Sequence, residues 1–226
     1  MTISAGEAGD AMATIAATLE RHNVVESEGY AVLQRLAREL KLKKDATAWS
    51  VEVDRGAPIL FRRTTDEKGR WLKPRVVAKG IEVEQGDGTA LPFRALDIAL
   101  EVDDDTNGSL SRWHLDLANK TAGVSQSGPV THLQFGGHNH GDREHDHKLK
   151  VPRWCHPPME VALLCEVVAA NFYEEEWLGL RDEPNWCQAI CLYQQLCYKF
   201  YFERMANSLS VSSSTALSGM WASTYS

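Results

Sequence analysis

The apolar residues of this chain change their spacing twice, and that switch limits the fold more than any other feature. Over residues 8–43 they recur every three or four positions. "GDAMATIAATLERHN" places Met12, Ile15, Ala16 and Leu19 on one helical face, and "SEGYAVLQRLARELKLKK" repeats the pattern with Tyr30, Leu33, Leu36 and Leu40 before ending in cations that suit a helix C-terminus. From 48 to 136 the period falls to two, broken by the polar turns "DRGA", "QGDGT" and "DDDTNG". From 157 to 204 it is helical again, with Pro157 and Pro158 suited to the first turn of a helix reaching about 177. A second helix follows from Asp182 to about Arg204. The expected architecture is α+β: N-terminal helices, a five- or six-stranded antiparallel meander and a C-terminal helical layer. Residues 1–205 are read as one domain and 206–226 as an uncharged Ser/Thr-rich tail, for which the alternatives are disorder and docking through Trp221 and Tyr225.

Bulk properties narrow the function classes. A 226-residue chain with 43% hydrophobic and 24% charged residues is long enough for a proper core and is not of disordered or fibrous composition. A net charge of −7 argues against general adhesion to nucleic acid or anionic membrane. The most apolar run, Val161 to Ala170, is too short to span a bilayer and contains Glu166. Met1 to Asp10 does not read as a secretion signal. The cysteines at 155, 165, 187, 191 and 197 form no Cys-x-x-Cys pair, so they read as free thiols in a cytoplasmic protein. Those on the helices are expected to be buried.

Two strands carry the best candidate chemistry. In "RWHLDL" alternation puts Arg112, His114 and Asp116 on the face opposite Trp113, Leu115 and Leu117. In "THLQF" it puts His132 and Gln134 opposite Leu133 and Phe135. If the two strands pair, these polar residues form one cross-strand cluster. Such a set suits a divalent metal such as zinc, or a metal-free acid–base site with Asp116 orienting a histidine. The alternative is the solvated face of a one-sided sheet. Glu166, on a helix apolar almost all round, is read as a partly buried carboxylate needing Arg112 or a loop histidine as partner, and is a candidate catalytic residue with His114, Asp116 and His132.

Six of the eight histidines fall between 132 and 156. The loop 136–152 contains His138 and His140, candidate metal ligands with His114 and His132, and a second pair, His145 and His147. None matches a recognised zinc spacing, and a hydrophilic connection is the plainer reading. Cys155, in "PRWCHPPME", lies beside His156 and just ahead of an expected helix N-terminus, a setting that lowers a thiol pKa. The element order of helix, meander and helices resembles that of the ubiquitin-conjugating fold, which implies a thiol transferase using Cys155. The His-Pro-Asn motif of that family is absent, "HPP" at 156–158 being the nearest string.

A local charge contrast is the remaining signal. Between Phe61 and Gly80 the chain carries a net +5, from Arg62, Arg63, Lys68, Arg70, Lys73, Arg75 and Lys79 against Asp66 and Glu67. With Trp71 interleaved, Arg62, Arg63, Arg70, Lys73 and Arg75 are candidates for holding a phosphate backbone or an acidic partner. The alternative is an edge blunted by cations. Surplus aromatics on the last helix point the same way, to another subunit or to self-association. The leading expectation is a cytoplasmic binding or accessory subunit of a protein or nucleoprotein assembly. The second is a hydrolase, of nuclease or phosphodiesterase type, centred on His114, Asp116 and His132, and the third is the Cys155 thiol transferase.

Overall fold

A computed structural model describes residues 2–86, 91–104, 109–118, 120–121, 124–125, 128–136, 152–210, 213 and 215–222. Two helices open the chain, α1 (Ala5–Arg21) and α2 (Ser27–Leu42). Helix α1 starts where the sequence supplies a capping box: the Ser4 hydroxyl accepts from the Glu7 amide while the Glu7 carboxylate accepts from the Ser4 amide. Its buried face holds the anticipated Met12, Ile15, Ala16 and Leu19.

The strands follow as β1 (Ala48–Val53), β2 (Ile59–Leu60), β3 (Thr64–Thr65), β4 (Trp71–Glu84), β5 (Phe93–Asp104) and β6 (Ser109–Leu117), then β7 (Lys120–Thr121), β8 (Val124–Ser125), β9 (Thr131–Phe135) and β10 (Trp154–Cys155). The main antiparallel sheet runs β1-β4-β5-β6-β9-β10, with β2 and β3 also on β4, while β7 and β8 form a separate ribbon. Strands β1 and β2 do not form the simple hairpin that "DRGA" suggests. Both lie along the 14-residue β4, one after the other. Pro74 is tolerated inside the sheet because it falls between the stretches paired with β2 and β3, where its missing N–H breaks no ladder; its carbonyl still accepts from the Phe61 amide.

Strand β5 is internal, and its alternation defines two faces. Leu96, Ile98, Leu100 and Val102 enter the core beneath α1, α2, α3 (Val161–Phe172) and α5 (Pro184–Leu209). Asp97, Ala99, Glu101 and Asp103 belong to the opposite, polar face. The C-terminal layer differs in detail from its sequence reading. Pro157 and Pro158 precede α3 rather than begin it, and the helix breaks at Tyr173 before the short α4 (Glu174–Leu180). At that break the Tyr173 hydroxyl donates to the Arg62 carbonyl. Helix α5 continues to Leu209, and its seam of Trp186, Ile190, Tyr193 and Cys197 is buried inside the chain, with the Tyr193 hydroxyl donating to the Ala8 carbonyl at 2.7 Å. Cys165 and Cys197 are buried as expected, whereas Cys187 and Cys191 are exposed, a correction that follows from their place on the outer side of α5; all five thiols are free.

Part of the Ser/Thr-rich tail, residues 215–222, packs back on the chain. Helix α6 (Ala216–Gly219) leads into a bridge in which Val130 donates to Met220, Trp221 pairs with Pro129, and Ala222 donates to Gly128. Tyr225 lies outside the described residues. Among the described residues no helix is long and apolar enough to cross a membrane.

Glu160 caps α3 from inside the core. Its carboxylate accepts from the Ala162 amide at 2.9 Å, and burial pushes its pKa up to about 7. A carboxyl whose folded pKa is raised is protonated in the native state while the unfolded chain has already released its proton. Stability therefore falls as pH rises from about 4.5 to about 7 and then levels off. Glu160→Gln should flatten that slope and be more stable than the wild type above pH 7, by about 1.4 kcal/mol per unit of displaced pKa. Thermal or urea melts from pH 4.5 to 8.5 test this, and identical slopes for both proteins would refute it.

Candidate functional site

The polar face of the sheet brings side chains from four strands into register. Asp97 lies opposite Asp116, Asp116 opposite His132, and His132 opposite Cys155. One rung along, Ala99 faces His114 and His114 faces Gln134; the next rung pairs Arg75, Glu101 and Arg112. The anticipated polar cluster of Arg112, His114, Asp116, His132 and Gln134 is therefore assembled on one face. His114 Nδ1 is 3.7 Å and His132 Nε2 4.0 Å from Asp116 Oδ2. Those separations are contacts between charged or chargeable groups, too long for hydrogen bonds.

Asp97 completes the group and was missed from sequence. One ligand atom each from Asp97, His114 and Asp116 lies within 4.8 Å of the others. The signal was present in "LPFRALDIALEV", where alternation sets Asp97 and Glu101 against four large aliphatic residues.

Burial and charge set the state of the cluster. Asp116 is pushed up to about 7, first by burial and then by the facing Asp97 carboxylate, with Arg112 and Arg153 pulling the other way. His132 is only 2% exposed, and burial, helped by Arg153, pushes it down to about 4. It is a neutral imidazole at pH 7. Its Nδ1 lies 3.2 Å from the Pro129 carbonyl, which can only accept, so the proton is on Nδ1 and the lone pair on Nε2, the nitrogen nearer Asp116.

A second group surrounds Glu101, which is wholly buried. Arg75 Nη2 and Nε approach its Oε2 at 2.7 and 2.9 Å, while Arg55 Nη2 and Arg112 Nε lie 3.4 Å from its Oε1. Arg75 Nη1 also reaches Asp103 at 3.3 Å. Arg55 arrives from the turn between β1 and β2.

Other expectations need revision. Two cations of the basic hairpin, Arg70 and Arg75, are engaged by acids of this chain. Arg70 pairs with Asp66 at 2.7 Å and Arg75 turns onto Glu101, while Arg62, Arg63 and Trp71 are exposed and Lys73 is half-buried opposite Asp103. Glu166 is on α3, whose apolar side packs into the core, and it meets neither Arg112 nor the cluster; burial raises its pKa against a hydrogen bond from the Trp186 indole. Cys155 is in β10 rather than at a helix N-terminus, since α3 begins only at Val161, and its Sγ lies 3.1 Å from the Tyr201 hydroxyl. The neighbouring His156 ring turns to the Pro157 carbonyl, 2.7 Å away. His138, His140, His145 and His147 lie outside the described residues.

Comparison with protein-family models, with curated proteins and with solved structures gives no match to this chain.

The Glu101 group yields a stability contrast. Arg75→Glu sets a third carboxylate against Glu101 and Asp103 and should cost about 3–5 kcal/mol, the usual scale for breaking a buried ion pair. Arg62→Glu, at an exposed side chain, should stay within about 0.5 kcal/mol of wild type. Chemical denaturation of the two variants checks this, and equal effects would show that Arg75 is not part of a buried network.

Proposed function

We propose that this chain is a divalent-metal-dependent hydrolase whose centre is formed by Asp97, His114 and Asp116, with His132 as its base. The carrying observation is the convergence of those three donors, from two neighbouring strands, within 4.8 Å. Two carboxylates facing each other across a strand pair repel, and a cation between them relieves that repulsion. A set of two oxygens and one imidazole nitrogen suits zinc or manganese. When bound, such a metal supplies an activated water and a Lewis acid. The chain's own part is to hold a neutral imidazole beside the donors, with its Nε2 lone pair directed to the Asp116 side and its Nδ1 proton fixed by Pro129. That is the arrangement of a base able to take a proton from water. Arg112 and Arg153 lend positive charge to the same neighbourhood, which favours an anionic substrate.

The test begins with metal content. Protein incubated with zinc or manganese and then dialysed should retain about one equivalent, and Asp97→Asn with Asp116→Asn should retain none. His132→Gln should keep the metal and lose hydrolysis of bis-p-nitrophenyl phosphate by roughly 100-fold or more. Equal metal retention by wild type and the double variant would refute the proposal.

One observation favours a binding role as a second reading. Trp154 and Phe135, on the β10 and β9 side of the sheet, are 68% and 47% exposed, and Phe135 meets Trp113 edge to face at 5.5 Å. Exposed aromatics grouped near a sheet edge suit a protein partner or a second copy of the chain. Trp154→Ser should then abolish a concentration-dependent shift in sedimentation or in light-scattering mass. A wild type that stays monomeric at all concentrations, and captures nothing that Trp154→Ser fails to capture, would dismiss this reading.

A further inference from the structure

The group around Glu101 holds more positive charge than its fold role requires. Three guanidiniums, from Arg55, Arg75 and Arg112, converge on one buried carboxylate, and Arg75 also reaches Asp103. Burying ion pairs is seldom a net source of stability, because desolvation offsets the attraction. One arginine per carboxylate would also satisfy the charge. The three are unequally engaged. Arg75 is tightly held, whereas Arg55 and Arg112 reach Glu101 Oε1 only at 3.4 Å. Arg112 is 9% exposed, and its Nε is buried without a hydrogen bond, as is Glu101 Oε1. A guanidinium carries five N–H donors in a planar fork matched to phosphate oxygens.

We infer that Arg55, Arg75 and Arg112, aimed by Glu101, form a subsite for a phosphoryl group. The subsite is placed to serve the metal centre proposed above, on which the identity of its substrate rests. Arg112 and His114 are two residues apart on one face of β6, a separation of about 7 Å along a strand. Ala99, which carries the smallest side chain of this face, is the residue of β5 between the two groups. A phosphate ester or nucleotide can therefore rest one phosphoryl group on the arginines while a second reaches Asp97, His114 and Asp116. Glu101 acts as a positioning residue: it fixes the guanidiniums without itself meeting an anion.

The experiment is run on chelator-treated full-length protein, so that it does not depend on the metal. Pyrophosphate is titrated calorimetrically at constant ionic strength into wild type, Arg55→Ala, Arg112→Lys and, as a control, Arg38→Ala on the exposed side of α2. Wild type and the control should bind alike. Arg55→Ala should weaken binding at least 10-fold with an unchanged melting temperature, since Arg55 is more than half exposed and makes only a long contact. Arg112→Lys keeps the charge but loses the fork, and should weaken binding similarly. If Arg112→Lys does not fold, Arg55→Ala decides alone. Absence of pyrophosphate binding to wild type, or equal binding by Arg55→Ala, overturns the subsite. Pyrophosphate binding that survives Asp97→Asn with Asp116→Asn supports the subsite even if those residues prove to hold no metal.

Discussion

The rest of the molecule depends on β5 being hydrogen-bonded on both edges. A strand flanked by β4 and β6 cannot slip its register by one residue without exchanging Leu96, Ile98, Leu100 and Val102 for Asp97, Ala99, Glu101 and Asp103. The cost of exposing four aliphatic side chains, each worth about 1.5–3 kcal/mol when buried, is what pins the polar residues to their partners. The rung that aligns Asp97, Asp116 and His132 is thus enforced by the hydrophobic face behind it, not by attraction among the polar groups. Two of them are carboxylates that repel.

Polar chemistry on this sheet is organised by neighbours within strands as much as across them. On the polar face Asp97, Ala99, Glu101 and Asp103 follow one another along β5, Arg112, His114 and Asp116 along β6, and the arginines gather at one end. The like-charge pair and the surplus-cation group lie only two rungs apart. The sign of the local charge therefore changes within two rungs of one sheet face.

Much of this was legible from the residues alone, and the exceptions share a cause. Period-two alternation is local, so "RWHLDL" and "THLQF" reported which side chains share a face before any pairing was known. The capping box of α1 and its buried stripe were readable for the same reason. What escaped depends on which strand lies beside which. Asp97 looked like an incidental acid in an apolar strand until β5 was set next to β6. Arg75 counted toward a basic hairpin because charge summed along the chain does not register Glu101, 26 positions away and directly opposite. The neighbour of Glu166 on α5, Trp186, is not legible in the sequence because helix packing alone brings the two together. Two prolines after Cys155 suit the first turn of a helix, but the start at Val161 is set by the Glu160 cap.

The bridge between Trp221 and Pro129 bears on the order in which the protein matures. Pro129 supplies the carbonyl that holds the His132 ring, and Met220 and Ala222 complete the hydrogen bonds of that segment. Residues about 90 positions apart in sequence must therefore meet before the imidazole has its final surroundings. Local helices such as α1 and α2 form during synthesis, whereas contacts of such long sequence separation form late and slowly. A nascent chain halted anywhere before residue 220 would own a sheet and most of a core, yet lack the clasp that sets its histidine.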